Sequence, residues 1–372
     1  MEKTFYFLII LILFACKSKS DLALAPNPTL VLPLPDTLSY NSIIANQCNF
    51  ILSHQLNDGA FTMSSNRDVS GYKIVPYFAN IAARALLENP TNTNIDAVKR
   101  WITWYFDHLN PDGSVFDYFA TNYHGEATLI STGDFDSIDS YAATFITLIR
   151  KLCEVSPPDK SWLKLNYSKQ LIKAGEAMAL MMQEDGLTIA KPSYQIKYTM
   201  DNAEVNEGLI DMVWLSQNVV SNIDISTWQV LLDKNGKGIE TLLWDNSEAK
   251  YFMYQGGPVA NWKVFYADAT CQLYPIWCGV ILPTSQRAKD LWNTFNINYP
   301  DWAAGKIYDN GGYPWTVISY VSAVMNDKIK TDHYLRYVQS FLDTGIQPTN
   351  NWYNLEAAFV ILAAKKIKGL TN

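Results

Sequence analysis

The chain has 372 residues, 48% hydrophobic and 13% aromatic, which is ample apolar material for a large core. A formal charge of -7, with no sustained basic run, excludes nucleic acid as a partner. Twelve Trp and 22 Tyr are a heavy aromatic load. Most of these rings go to the core because of the area they bury; the rest suit stacking on a flat ligand such as a sugar ring.

Lys3 gives the N-terminus a positive start, and Phe5 to Phe14 follow as an apolar run. At about ten residues that run is too short to span a bilayer as a helix. The next residues, Leu13-Phe14-Ala15-Cys16, resemble the lipobox of bacterial lipoproteins, where the chain is cut before the Cys and the Cys is lipidated. The resemblance implies a signal peptide over 1–15, a lipid on Cys16 and a membrane partner through that anchor. Lys17, not Asp, follows the Cys, which by the same resemblance implies the outer membrane within the cell envelope. Residues 16–39 turn Pro-rich (Pro26, Pro28, Pro33, Pro35) and read as an extended tether. Without an obvious internal linker, 40–372 reads as one domain, expected to be monomeric.

From Tyr40 to Lys366 the chain repeats a helix, a turn and a second helix, six times. The predicted pairs are Tyr40–Leu56 with Pro76–Glu88, Asn94–Leu109 with Asp136–Val155, and Trp162–Gln183 with Asp201–Val219. Then come Thr227–Trp244 with Ala267–Leu282, Thr284–Phe295 with Pro314–Met325, and Thr331–Thr344 with Trp352–Lys366. Asp58-Gly59, Asp112-Gly113 and Asp185-Gly186 mark the first three turns. Asn235-Gly236-Lys237-Gly238 is expected to interrupt the fourth outer helix, and Tyr251–Tyr254 to form a short strand. The first helix of most pairs keeps a charged face, as with Lys99, Arg100 and Asp107. Second helices are apolar all round, as in the segments from Tyr141 and Leu355, and so are buried. First helices are therefore outer and second helices inner, in an all-α (α/α)6 toroid of two helix rings. Inner-helix starts recur at roughly 40–70 residues, within the range of repeat architectures.

Four cysteines remain in the domain: Cys48, Cys153, Cys271 and Cys278. Two turns of the predicted helix separate the last two by about 10 Å, too far for a bridge. A Cys48–Cys153 bridge is open, with buried free thiols the default.

With six hairpins, Asp-Gly turns and acidic or aromatic inner-helix starts, Tyr40 to Lys366 resembles the six-hairpin glycosidase superfamily. The resemblance implies a carbohydrate substrate and an enzyme, most often a glycoside hydrolase using Asp or Glu, in some members a polysaccharide lyase. Fold alone does not give function.

Two inner-helix starts share D-x-x-[DE]: Asp136 to Asp139, and Asp201 to Glu204, with Glu207 following. The pattern also describes an N-cap with its N3 carboxylate. Two features favour chemistry. Asp134, Asp136 and Asp139 crowd one stretch, and Glu207 falls two turns into a helix expected to be buried, where an unpaired carboxylate is costly. A helix N-terminus favours the anion, so Asp139 is expected to be the base; burial raises a carboxyl pKa, so Glu207 or Glu204 is expected to be the acid. Asp136, Asp201, Asp268, Tyr194, Tyr266, Trp315, Trp352, Tyr353 and His124 are expected to bind substrate, and Trp262 is a further candidate platform. His54, His108, His124 and His333 lack zinc spacing, no EF-hand pattern appears, and no phosphate-binding or dinucleotide loop is present. No metal or cofactor is expected.

The leading reading is a lipid-anchored glycoside hydrolase. A lyase using Tyr141, His124 or Lys197 is the second, and a non-catalytic glycan-binding lipoprotein the third.

Overall fold

A computed structural model describes residues 32–220, 224–342 and 344–370. The expected signal peptide, Cys16 and most of the tether lie outside the described residues. Among the described residues thirteen α-helices make the frame: α1 (Tyr40–Ser53), α2 (Pro76–Leu86), α3 (Asn92–Asp107), α4 (Ile138–Val155), α5 (Pro157–Asn166), α6 (Ser168–Leu180), α7 (Thr199–Asn218), α8 (Ile225–Gly238), α9 (Tyr274–Trp277), α10 (Gln286–Asn298), α11 (Val317–Val324), α12 (Lys328–Gln339) and α13 (Asn354–Gly369).

Helix contacts close a ring. α2 packs on α4, α4 on α7, α7 on α9, α9 on α11, α11 on α13, and α13 back on α2. Around it stand α1, α3, α6, α8, α10 and α12, so the chain is an (α/α)6 toroid of six hairpins. Burial follows the sequence pattern. Every residue of α4 from Ile138 to Ile149 is buried, as is every residue of α13 from Glu356 to Ala364. In outer α10 only Ala288, Leu291, Trp292 and Phe295 are buried, one stripe at i, i+3, i+4 and i+7. Gly208 lets α7 approach α4 closely: a Cβ there would lie 2.8 Å from the Ala143 Cα.

The three Asp-Gly turns are one device used three times. Asp58, Asp112 and Asp185 each accept a hydrogen bond on Oδ1 from the backbone N–H two residues on. The following glycine has positive φ and abuts a carbonyl of the next outer helix. A Cβ would lie 2.6 Å from Arg100 O, 2.3 Å from Lys173 O and 2.2 Å from Lys234 O respectively. Each turn thus docks its hairpin onto its neighbour, and only glycine fits.

Four segments differ from expectation. The third outer helix breaks at Tyr167 into α5 and α6, because Tyr167 leaves helical geometry. The fourth outer helix is not interrupted at Asn235–Gly238; α8 runs through it into a π-turn over Ile239–Leu243. Gly238 there packs against the Asp185-Gly186 turn, and buried Asn235 donates to Gly186 O. The fourth inner helix is fragmented: a π-turn over Phe265–Ala269, then only α9. Pro275 lacks the N–H that a continuous helix needs. The fifth inner helix starts at Val317, not Pro314, because Trp315 has φ 51°. All four cysteines are buried and free.

Short strands decorate the connections. β1 (Tyr72–Ile74), β2 (Tyr118–Ala120) and β3 (Leu129–Ser131) form an antiparallel sheet, with Lys73 opposite Phe119 and Phe119 opposite Ile130. β4 (Trp244–Asp245) pairs with β5 (Lys250–Tyr251), so the expected strand near Tyr251 is a two-residue one. The connections from an outer helix to its inner partner are long: 54–75, 108–137, 181–198, 244–264, 299–316 and 340–353. Those leaving an inner helix are short, as at 87–91 and 325–327. In a closed ring of antiparallel pairs all the long connections share one end, the end where the inner helices begin. Among the described residues no helix is long and apolar enough to cross a membrane.

Candidate active site

The inner-helix N-termini gather carboxylates at that end. Ile138 opens α4 with its N–H on Ala190 O, so the second and third long connections meet there. Asp139, in the first turn, has no accessible surface. The Thr188 hydroxyl donates to its Oδ2 at 2.6 Å, and the Ser140 N–H to its Oδ1 at 2.9 Å. Burial pushes its pKa up, against the pull of those bonds. A group that activates water must touch one, and Asp139 is sealed off; the expected base is a buried structural acid.

Asp201 lies in the first turn of α7 and is only half-buried. Its pKa is pushed well above the usual carboxylate range, by desolvation first and then by the charges of Asp139, Glu204 and Asp136. Glu204, one turn on, is buried, and the Tyr77 hydroxyl of α2 donates to its Oε1 at 2.5 Å. Burial raises Glu204 to about 8. Ser140 lies near both; its hydroxyl has no close partner although it is buried. Four carboxyls this close in a poorly solvated site cannot all ionise near neutral pH.

Asp136, just before α4, is exposed, yet desolvation still raises its pKa, while Lys191 and Lys73 pull it down. Open to solvent but hemmed in by protein is what a cavity wall gives. Asp117, buried behind it, accepts from Tyr141 Oη at 2.9 Å and sits 3.8 Å from Lys73 Nζ; burial raises it to about 6.

Glu207 departs from expectation. Its Oε1 stands 2.7 Å from Arg84 Nη2, so the carboxylate deep in α7 is paired, not a free acid. Asp211, one turn further, is raised to about 7 by burial and then by Glu207.

Across the ring, Glu356 occupies the first turn of α13. Thr316 donates both its N–H, at 2.9 Å, and its hydroxyl, at 2.7 Å, to Oε2, and neither bond engages Oε1; the side chain is largely buried but, unlike Asp139, keeps 6% of its surface exposed. Burial raises Glu356 to about 7, and the Thr316 bonds oppose that rise. Sequence reasoning missed this residue, although it obeys the rule that found Asp139 and Asp201: an acid opening an inner helix. Asp309, Tyr77 and Tyr274 were also missed. Asp309 faces Tyr266, Tyr313 and Glu356, and Tyr274 faces Tyr77 and Glu204.

The aromatic candidates sort by burial. Tyr266 is 38% exposed, and its hydroxyl feels Asp136, Asp201 and Asp309, so it faces both sides of the mouth. Trp315 packs on it, with ring centres 4.9 Å apart. Tyr194 shares a 2.7 Å hydroxyl contact with Tyr198, which is in electrostatic reach of Asp201 and Tyr266. Tyr353 is buried between Phe78 and Tyr313, beside Glu356. Trp352 is a correction: it is 2% exposed and donates its indole N–H to Gln47 of α1, so it is core. Trp262 accepts on its carbonyl from the hydroxyl of buried Tyr299, just after α10. Asp268 is a second correction. Its Oδ1 takes the Asn261 N–H and its electrostatic neighbours are Tyr299 and Cys271, so it braces a loop. His124 meets Tyr123 edge-on near His54 and is not among the groups acting on the mouth acids. Among the described residues no group of three or more His, Cys, Asp or Glu is placed to hold a metal ion.

No protein-family model matches the chain, and no curated protein matches its sequence. Solved structures do match. A structure described as a wild-type glycosidase superposes with TM-score 0.61 at 10% identity, over 88% of this chain and 97% of that one. The GH63 mannosylglycerate hydrolase of Thermus thermophilus, in complex with glucose, gives TM-score 0.59 at 10% identity, over 87% and 99%. An uncharacterized conserved protein from the same organism gives 0.58 at 12%, over 86% and 99%. The chain shares the fold of these structures, an (α/α)6 toroid of six hairpins. At such identities the likeness carries the ring and the position of its mouth, and the chemistry has to be argued from this chain's own side chains.

Proposed function

We propose that this chain is a glycoside hydrolase, with Asp201 as the proton donor and Glu356 as the base. The observation that carries the reading is their placement. Asp201 opens the third inner element of the ring and Glu356 opens the sixth, so they face each other across one mouth with Tyr266 between. Glycoside hydrolysis needs one protonated and one ionised carboxyl on either side of the scissile bond. Asp201 is half-buried and sits among three other acids; desolvation and their charges push its pKa well above the usual carboxylate range, which suits a proton donor. It gives that proton to the glycosidic oxygen as the bond to the anomeric carbon breaks. Glu356, its anion held by the N–H and hydroxyl of Thr316, takes a proton from the water that attacks that carbon. The atoms balance as one water added across the bond.

The charge of the mouth supports hydrolase over lyase. A lyase has to neutralise a uronate, but Lys73 and Lys191 are engaged with Asp117 and Asp134, and Lys197 with Asp185. Tyr141 is tied to Asp117 and His124 is not among the groups acting on the mouth acids, so the candidate lyase bases lose their support. The lipobox-like Leu13-Phe14-Ala15-Cys16 supports a lipid anchor on Cys16, which metabolic labelling with a fatty acid tests by comparing the wild type with Cys16→Ser.

The test is a glycan panel read by mass spectrometry with wild type, Asp201→Asn and Glu356→Gln. Products carrying added water, lost in both variants while the fold persists, support the reading. Unsaturated products overturn it in favour of lyase; binding without product overturns it in favour of a glycan-binding protein.

A further inference from the structure

We propose that Glu204 is a positioning residue that acts through Asp201: pinned by Tyr77, it gives up its proton before Asp201 does and so holds the proton on Asp201 as pH rises. This rests on Asp201 being the proton donor. The geometry carries it. Asp201 and Glu204 are three residues apart on α7 and so share one helix face. Glu204 is buried, 3% exposed, whereas Asp201 is only half-buried and keeps part of its surface accessible. Tyr77, reaching across the ring from α2 beyond α4, donates to Glu204 Oε1 at 2.5 Å, and a donated bond favours the ionised carboxylate. The bond fixes which of two neighbouring acids gives up its proton first.

The surroundings agree. Facing Asp201 are Asp136 and Asp139 from the α4 side, Glu204 on α7, and Tyr198 and Tyr266 from the connections. Facing Glu204 are Tyr77, Tyr274, Asp139 and Glu207, with the Ser140 hydroxyl between the two acids. Glu207 is neutralised by Arg84, and no arginine or lysine is among these neighbours. Charge on Glu204 is therefore felt by Asp201 with little compensation. Burial lifts both carboxyls, and the Tyr77 bond lowers Glu204 against that lift.

The decisive measurement is the titration of the Asp201 carboxyl, followed by 13C NMR in the full chain, in wild type, Glu204→Gln and Tyr77→Phe. Both variants are expected to lower the Asp201 midpoint, by about one pH unit as for removal of a like charge at close range. The basic limb of the kcat/KM profile should move down with it, while KM below the limb stays unchanged. An unmoved midpoint in both variants overturns the proposal. So does loss of activity at every pH with the midpoint in place, which would make Glu204 itself catalytic. If Glu204→Gln does not fold, Tyr77→Phe decides alone, since Tyr77 is only half-buried. Absence of any turnover in the wild type would sink the hydrolase reading, while the NMR midpoints would still decide this one.

Discussion

Arg84 and Glu207 meet inside the ring at 2.7 Å, joining α2 to α7 one level below the acids of the mouth. Removing one partner of a largely buried pair leaves the other uncompensated and costs about 3–5 kcal/mol when burial is complete. Each side chain here keeps a little under a fifth of its surface exposed, so the lower end applies. Glu207→Gln is expected to lower stability by about 2–3 kcal/mol in urea unfolding, with kcat unchanged in the folded protein. Retained stability with lost turnover would return Glu207 to the role of proton donor.

The Asp-Gly turns give a cleaner steric test. Gly186 has φ 88°, and a Cβ there would stand 2.2 Å from the Lys234 carbonyl, a backbone atom that cannot step aside. Gly133 has φ 68° with open space around it. Gly133→Ala should cost about 1 kcal/mol, the backbone penalty alone. Gly186→Ala should cost several times more, seen as a much larger drop in unfolding midpoint. Equal costs would mean that the turn is not docked on α8.

Stability should fall as pH rises. Asp117, Glu204, Asp211 and Glu356 are raised by burial to about 6, 8, 7 and 7, and Asp139 and Asp201 are raised with them. Acids raised in the folded state hold protons that the unfolded chain has released, so the folded chain binds more protons than the unfolded one between about pH 4 and pH 8. The slope of unfolding free energy with pH is then negative. The contribution is fully present below the unfolded carboxyl pKa and is lost through the folded values. Thermal melts should show a higher midpoint at pH 5 than at pH 8, and Asp139→Asn should flatten the difference. A midpoint that climbs from pH 5 to pH 8 would contradict the buried acids.

The ring was legible because it rests on simple periodicities: outer helices with one apolar stripe, inner helices apolar all round, and Asp-Gly turns between them. The fourth inner element was misread because a long apolar stretch hid Pro275, whose missing N–H outweighs propensity. In the site, the rule that acids open inner helices located Asp139 and Asp201. It could not separate a sealed acid from an open one, because Thr188 and Ala190 close over Asp139 from a different hairpin. Glu207 failed for a related reason. Its partner Arg84 is more than a hundred residues away in sequence, and a lone carboxylate on an apolar helix shows nothing of that. Glu356 was passed over inside a segment read only as an apolar inner helix.

Tyr266 and Trp352 separate binding from packing among the aromatics. Tyr266 is exposed at the centre of the mouth, whereas Trp352 is enclosed between α1 and α13 with its indole N–H on Gln47 Oε1 at 3.0 Å. Tyr266→Ala removes a ring that faces both acid groups, so KM should rise about tenfold while stability changes little; a stacking contact is worth about 1–3 kcal/mol when truncated. Trp352→Phe should do the reverse. It leaves Gln47 without its donor and a gap where the larger ring was, at a cost of about 1–3 kcal/mol in stability with KM unchanged. Measuring KM and the urea midpoint for both variants checks the pair. A rise in KM for Trp352→Phe, with none for Tyr266→Ala, would place the sugar against α13 and not beneath Tyr266.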